Sequence, residues 1–168
     1  MQAWFGAAIA LLGLQRIAEL LYARNTARHL IARGAVVVRP DGYALLVVVH
    51  VAFFAAVVAE WLWAPWAGGA ALIPGAILFL AGEGLRLASM VALGWRWNTR
   101  VFVVPGAPLV RRGPYRFLRH PIYVGVVLEL AGFALLDSLY ATAACITILN
   151  IVALRLRIRI EQEALSKA

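Results

Sequence analysis

The chain has 168 residues, of which 64% are hydrophobic and only 14% are charged, and its mean hydropathy is +0.84. A soluble domain is nearer half apolar and a quarter charged, so the composition excludes an ordinary soluble enzyme and predicts an integral membrane protein. The net charge of +8 first indicates membrane topology rather than nucleic-acid binding. The single cysteine, Cys145, excludes an internal disulfide and a cysteine-based zinc site.

Five apolar segments along the chain are candidate membrane spans, since a helical crossing takes about 20 residues. They cover residues 3–22, 43–64, 71–94, 121–137 and 138–156. The last two are separated only by Asp137 and Ser138, which predicts a tight helical hairpin. The predicted fold is an all-α bundle of about five transmembrane helices. No repeat or flexible linker is present, which favours one membrane-embedded domain over residues 1–168.

The basic residues are distributed unequally between the predicted loops. All of them except Arg16 and Arg86 lie in the loops after the first and third spans or in the C-terminal tail. The positive-inside rule therefore predicts a cytoplasmic C-terminus and an external N-terminus in a multi-pass protein of the cell membrane, in bacteria the inner membrane. Tryptophans cluster where the second span is predicted to reach the outer interface: Trp61, Trp63 and Trp66.

The loop from Trp95 to Tyr123 combines basic, aromatic, proline and glycine residues, and a continuous helix is excluded there. Residues 101–104 are predicted to form a short strand. Arg119 and His120 precede Pro121, which suits the first turn of a helix. The free N–H groups of that helix N-terminus, with Arg119 beside them, predict an anion-binding site. The alternative is that the loop arginines bind anionic lipid headgroups at the cytoplasmic face.

Ionisable residues inside spans are costly in hydrocarbon unless they are paired or hydrated. Glu83 and Arg86 are three residues apart and are predicted to pair, while the flanking Gly82 and Gly84 would admit a close neighbour.

Two further glutamates lie inside spans without an obvious partner, Glu60 and Glu129. Glu129 follows His120 by about two and a half helical turns, which predicts that both line one wall of an intramembrane cavity.

The C-terminal segment RLRIRIEQEALSKA continues directly from the fifth span. Arg157 and Glu161 are four residues apart, as are Arg159 and Glu163, so both pairs are predicted to form on a solvated helix face. The competing interpretation is that these side chains line a pocket together with the basic loops.

Familiar nucleotide-binding and hydrolase motifs are absent, which excludes a soluble Rossmann or P-loop enzyme. Three scattered histidines disfavour a metal site: His29, His50 and His120.

The segment GPYRFLRHPIYVG, from Gly113 to Gly125, together with RIRIEQEAL, from Arg157 to Leu165, resembles the isoprenylcysteine carboxyl methyltransferase family. The wider pattern is similar to its short bacterial branch, which accompanies type III polyketide synthases and methylates alkylpyrones and alkylresorcinols. The resemblance implies an integral membrane methyltransferase that uses S-adenosyl-L-methionine in a pocket at the cytoplasmic face, without a metal.

The resemblance also implies the residues of the site. The cofactor-binding set is Arg119, His120, Pro121, Tyr123, Glu161 and Leu165, to which Tyr115 is added as an aromatic that can face the adenine or the sulfonium. The catalytic set is His120, Arg157, Glu161 and Glu163. One departure is Gln162, which replaces the second glutamate of the family pair. Glu163 is one residue further on, and its side chain points about 100° away on a helix.

The acceptor is predicted to be a lipophilic molecule from the bilayer, and its chemistry decides whether a base is required. A carboxylate is already ionised at neutral pH, whereas a phenol titrates near 10 and benefits from a base such as Glu161, Glu163 or His120. We expect O-methylation of an alkylpyrone or alkylresorcinol. The alternatives are esterification of a prenylcysteine carboxylate, phospholipid N-methylation, an NADPH-dependent membrane reductase and a noncatalytic adaptor.

Overall fold

The computed structural model describes residues 3–63 and 69–166, so Trp66 of the predicted tryptophan cluster lies outside the described residues. The described residues are mainly helical, as predicted. Five α-helices carry the fold: α1 (Ala3–Ala32), α2 (Tyr43–Trp63), α3 (Leu72–Leu93), α4 (Pro121–Leu136) and α5 (Tyr140–Ser166). Two short 3₁₀ helices, Gly94–Arg96 and Gly113–Arg116, lie in the loop between α3 and α4.

Four of these helices, α1, α2, α3 and α5, are long and apolar enough to cross a membrane. Helix α4 is apolar but has 16 residues. At about 1.5 Å per residue it is roughly 24 Å long, against about 30 Å of hydrocarbon. The structure thus confirms five helices and reduces the count of full-length candidate spans to four. The chain has the architecture of a multi-pass membrane protein, and its sidedness stays a prediction.

The short helix α4 is held closely against α3 by glycines on both helices. A Cβ added at Gly82 would lie 2.7 Å from the carbonyl oxygen of Gly125, and one added at Gly75 would lie 2.8 Å from the backbone of Leu135. Gly84 has no atom within 4 Å of such a Cβ. The predicted close approach at this Gly-x-Gly sequence therefore occurs at Gly82 and not at Gly84.

We expect Gly82→Ala to destabilise the protein by about 1 to 3 kcal/mol, because the added methyl group forces the backbones of α3 and α4 apart. The matched control is Gly84→Ala, which adds the same methyl group two residues away into open space. The measurement is the thermal unfolding midpoint of both variants in detergent. Equal midpoints for the two variants would contradict the proposed glycine contact.

Aromatic side chains join three helices in the core. The fully buried Phe133 of α4 has its ring centroid 5.4 Å from that of Phe5 in α1 and 6.0 Å from that of Phe53 in α2.

Glu60, near the end of α2, accepts hydrogen bonds from the backbone N–H groups of Ala141 and Thr142. Glu60 thus satisfies free N–H groups in the first turn of α5, which explains an acidic residue that had no obvious partner in the sequence.

Two connecting segments match their sequence predictions, the turn between α4 and α5 and the short strand in the α3–α4 loop. The turn at residues 137–139 joins α4 to α5 as the predicted helical hairpin. The predicted strand is present as β2 (Phe102–Val103), and it pairs antiparallel with β1 (Val36–Val37). This two-stranded ladder fixes the α1–α2 loop against the α3–α4 loop.

Candidate active site

A cavity of about 950 Å³ lies at the end of the bundle that carries the α1–α2 and α3–α4 loops. One wall is a single face of α2, as the spacing of three or four positions between its lining residues shows. These residues are Tyr43, Leu46, Val47, His50, Val51 and Phe54. The second half of α1, the start of α4 and the end of α5 form the other walls. Residues 96–111 of the α3–α4 loop contribute the remaining wall. The cavity is large enough for a cofactor together with part of an acceptor.

Arg157 of α5 is buried at 3% exposure and is held by three acceptors. Its Nε donates to the hydroxyl of Tyr123 at 3.1 Å, and its two terminal nitrogens donate to the backbone carbonyls of Asp41 at 3.2 Å and Thr99 at 2.5 Å. The Tyr123 hydroxyl in turn donates to Glu161 at 2.6 Å. Arg157 and Glu161 are therefore linked through Tyr123.

This arrangement corrects the predicted ion pairs on the C-terminal helix. No direct salt bridge joins Arg157 to Glu161 in the described part of the chain. Arg157 faces the interior and uses its donors on backbone carbonyls, so it does not lie on a solvated face. Arg159 and Glu163 are exposed, and these two described side chains do not pair either.

The start of α4 brings further predicted residues to the cavity. His120 is the N-cap residue, and no side chain caps the helix there. Its ring stacks on Tyr123 with 5.6 Å between centroids, and its Nε2 lies 3.3 Å from the side-chain nitrogen of Gln162. Because an amide nitrogen only donates, the Gln162 amide occupies the lone pair of that imidazole nitrogen. Gln162, the departure from the family pattern, thus faces His120.

Tyr115 lies in the second 3₁₀ helix and lines the cavity. Burial, with a smaller contribution from the negative charge of Glu161, raises the pKa of Tyr115 well above its usual range. Its hydroxyl is therefore a hydrogen-bond donor at neutral pH and does not serve as a base.

Seven of the predicted site residues line one cavity: Tyr115, Arg119, His120, Tyr123, Arg157, Glu161 and Leu165. Pro121 is buried in the first turn of α4, and Glu163 is exposed, so neither lines the cavity. The structure thus brings together the two segments that were singled out in the sequence, although they are far apart along the chain. The individual roles of these residues stay predictions.

A clamp between two loops, which the sequence analysis missed, supports Arg157. Arg100 donates to both carboxylate oxygens of Asp41, with Nε to Oδ2 at 2.9 Å and Nη2 to Oδ1 at 3.2 Å. The pair ties the loop that carries the Asp41 carbonyl to the loop that carries the Thr99 carbonyl, and Arg157 donates to both carbonyls. No sequence motif connects Asp41 and Arg100, which lie 59 residues apart.

The pKa of Asp41 is lowered. Burial alone would raise it, but the hydrogen bonds from Arg100 and from the backbone N–H of Tyr43 outweigh that effect. A carboxyl whose pKa falls on folding contributes stability above its unfolded-state pKa, and the contribution is lost as the pH drops through the folded-state pKa. We therefore expect the thermal midpoint of the wild-type protein to fall below about pH 4.

In Asp41→Asn the fall of the thermal midpoint that is due to protonation of Asp41 should be absent. The free energy of unfolding at neutral pH should be lower by about 1 kcal/mol or less, because the Arg100 side chain is 38% exposed. The measurement is the unfolding midpoint of both proteins across acidic and neutral pH. The same acid dependence in the variant would contradict the assignment to Asp41.

A cluster of five charged side chains lies deeper in the bundle, formed by Arg16 and Glu19 of α1, Glu83 and Arg86 of α3, and Glu129 of α4. The predicted Glu83–Arg86 pair is present at 3.4 Å. Shorter contacts join Glu129 to Arg16 at 2.6 Å and to Arg86 at 2.7 Å.

The cavity reaches one side of this cluster. Arg16, Glu19 and Arg86 line the cavity, but the fully buried Glu129 does not. The prediction that Glu129 shares a cavity wall with His120 is therefore wrong, because both of its oxygens face the arginines of α1 and α3.

Comparison with known proteins gives the family. Residues 75–167, more than half of the chain, match the isoprenylcysteine carboxyl methyltransferase (ICMT) family, and this region contains both segments of the site. The chain is also 36% identical over 167 residues to Uncharacterized protein YpbQ of Bacillus subtilis (strain 168), with 95% of each chain covered. No solved structure matches. The chain therefore belongs to the isoprenylcysteine carboxyl methyltransferase family of membrane methyltransferases.

Proposed function

We propose that this protein transfers a methyl group from S-adenosyl-L-methionine to a hydroxyl of a lipophilic acceptor of the alkylpyrone or alkylresorcinol type. The observation that carries the proposal is one cavity with two kinds of wall. Arg119, His120 and Glu161 provide charge and hydrogen bonds at the loop end, whereas Leu20 of α1 and most of the lining residues of α2 provide apolar side chains. A water-soluble charged cofactor and an alkyl chain thus find suitable surroundings in the same space.

The polar wall fits the cofactor by its chemistry. Arg119 and the uncapped N-terminus of α4 suit the carboxylate of an amino acid tail, and Glu161 suits its ammonium group. The neutral Tyr115 lines the same wall and offers an aromatic face. The cofactor supplies the methyl group on a sulfonium, and the residues of the cavity act chiefly by holding donor and acceptor in line.

The apolar wall supports an acceptor that enters from the bilayer. Leu20 of α1 and Val47 and Val51 of α2 line the cavity and are 42%, 41% and 64% exposed. These accessible apolar side chains offer an alkyl chain a surface on which to pack.

The α3–α4 loop supports contact with anionic lipids, which belongs to the same proposal. Phe117 is 84% exposed beside Arg116, which is also exposed and does not line the cavity. An exposed aromatic ring beside an arginine suits the headgroup region, where the ring enters the interface and the guanidinium group binds a phosphate. This contact would hold the entrance of the cofactor site at the membrane surface in the cell membrane.

The test uses the purified protein in lipid nanodiscs with methyl-labelled S-adenosyl-L-methionine and a panel of acceptors. The panel contains an alkylresorcinol, a farnesylated cysteine derivative and phosphatidylethanolamine. We expect label in the alkylresorcinol as a methyl ether. Label only in the farnesylated carboxylate or only in the amine headgroup would overturn the hydroxyl acceptor, and no transfer to any acceptor would overturn the methyltransferase proposal.

A further inference from the structure

His50 lies in the middle of the cavity wall formed by α2. The helix carries two other titratable side chains, Tyr43 and Glu60, and is otherwise composed of apolar residues. The imidazole follows Leu46 and Val47 on the face that lines the cavity, and it is half-buried. Ionisable side chains within apolar membrane helices are rare and mark functional positions. His50 is therefore a candidate functional residue, since its ring faces a cavity.

The hydrogen bond of His50 determines which nitrogen faces the cavity as a base. Nδ1 lies 2.8 Å from the backbone carbonyl oxygen of Leu46. A carbonyl oxygen only accepts, so Nδ1 carries the proton and Nε2 of the neutral ring has a lone pair. No described side chain donates a hydrogen bond to this Nε2.

The other basic groups of the cavity are already engaged. Glu161 accepts a hydrogen bond from Tyr123, and the Nε2 of His120 lies against the amide of Gln162. Glu19 is bound by Arg16 and Arg86. Among the described imidazoles that line the cavity, His50 is thus the one whose lone pair is available to a ligand, and the second carboxylate oxygen of Glu161 is left for the ammonium group of the cofactor.

The charged groups around His50 come from two neighbouring helices. Arg16 and Glu19 of α1 and Arg86 of α3 interact with it electrostatically and line the same cavity. Both arginines are paired with glutamates of the charged cluster, so the imidazole is the group at this wall that can accept a proton from a ligand.

We propose that Nε2 of His50 is the general base that removes the proton of the acceptor hydroxyl. The inference rests on the proposed function and assigns a neutral hydroxyl, rather than a carboxylate, as the acceptor class. In the step, the acceptor oxygen forms its bond to the methyl carbon while the sulfur–methyl bond breaks. The electron pair of that bond stays on sulfur, and the hydroxyl proton passes to Nε2.

The first test compares two acceptors with the same alkyl chain, a phenol and a dinitrophenol that is already ionised at neutral pH. We expect His50→Gln to lower the methylation rate of the phenol by about 100-fold or more, and that of the dinitrophenol by far less. The control is His29→Gln, because His29 is exposed in the last turn of α1 and does not line the cavity. Equal losses for both acceptors, or no loss for the phenol, would overturn the role of His50.

A second test does not depend on turnover. The imidazole nitrogens of ¹⁵N-histidine-labelled protein with bound S-adenosylhomocysteine are observed by NMR, and His50→Gln assigns the signal. We expect an unprotonated Nε2 whose resonance shifts when an alkylphenol is added, whereas a protonated Nε2 or an unchanged signal would overturn the inference.

Failure of the inference and failure of the proposed function are distinguishable. If wild-type protein neither binds S-adenosylhomocysteine nor methylates any acceptor, both are overturned. If wild-type protein methylates the phenol and His50→Gln does so at the same rate, only the role of His50 is overturned.

Discussion

Replacing Arg157 by alanine is expected to lower the affinity for S-adenosylhomocysteine by about 100-fold and to abolish measurable methyl transfer. The guanidinium group fixes Tyr123, and through it Glu161, while holding two loops by their carbonyls. Hydrogen bonds that involve a charged group contribute about 1.5 to 3 kcal/mol each, and the variant loses three at one buried position. The measurement is equilibrium dialysis with the labelled cofactor, followed by initial rates with the best acceptor.

Arg159→Ala is the matched control, because Arg159 lies two residues further on the same helix and is exposed. It should bind the cofactor and turn over as the wild-type protein does. A thermal midpoint is recorded for both variants, so that loss of folding is separated from loss of the site. If Arg157→Ala is folded and binds the cofactor normally, the network around Tyr123 does not form the cofactor site.

Replacing Glu129 by leucine should have the largest effect on stability. The carboxylate is fully buried and contacts both Arg16 and Arg86. Without it, both arginines lose their shared carboxylate and keep only Glu19 and Glu83 as partners. Removing one partner of a buried ion pair costs about 3 to 5 kcal/mol, although a complete buried pair contributes little net stability. We therefore expect a thermal midpoint far below that of the wild-type protein in detergent.

The control for this variant is Glu163→Leu, which makes the same chemical change at an exposed position outside the cavity. Its thermal midpoint should stay close to that of the wild-type protein. A folded Glu129→Leu protein of wild-type stability would show that the cluster is hydrated or that its arginines find other partners. Either result would contradict the structural role assigned to Glu129.

The parts of the fold that depend on local sequence were predictable. Apolar runs predicted the five helices, residues 137–138 predicted the hairpin, and residues 101–104 predicted the strand β2. Hydropathy placed α4 among the candidate spans although it is shorter than a full-length crossing, because an apolar helix against α3 and an apolar helix in lipid have the same composition.

The site residues that lie in sequence motifs were predictable. The segments around His120 and Arg157 were singled out from their residues and from their resemblance to a family, and the structure brings both to one cavity. The contacts that organise them were not predictable, because they join distant positions. Asp41 to Arg100 and Arg16 to Glu129 are tertiary contacts without a local pattern, and spacing on one helix wrongly suggested a direct contact between Arg157 and Glu161.

The most direct test of the central claim is calorimetric titration of the detergent-purified protein with S-adenosylhomocysteine, with NADPH as the competing ligand. It includes Glu161→Gln, which changes a cavity carboxylate, and Glu163→Gln, which makes the same change on the exposed face. We predict saturable binding of S-adenosylhomocysteine at one site, retained in Glu163→Gln and strongly weakened in Glu161→Gln, with no heat from NADPH. Binding of NADPH instead, or equal affinity for S-adenosylhomocysteine in both variants, would contradict the assignment of this cavity as the cofactor site of a methyltransferase.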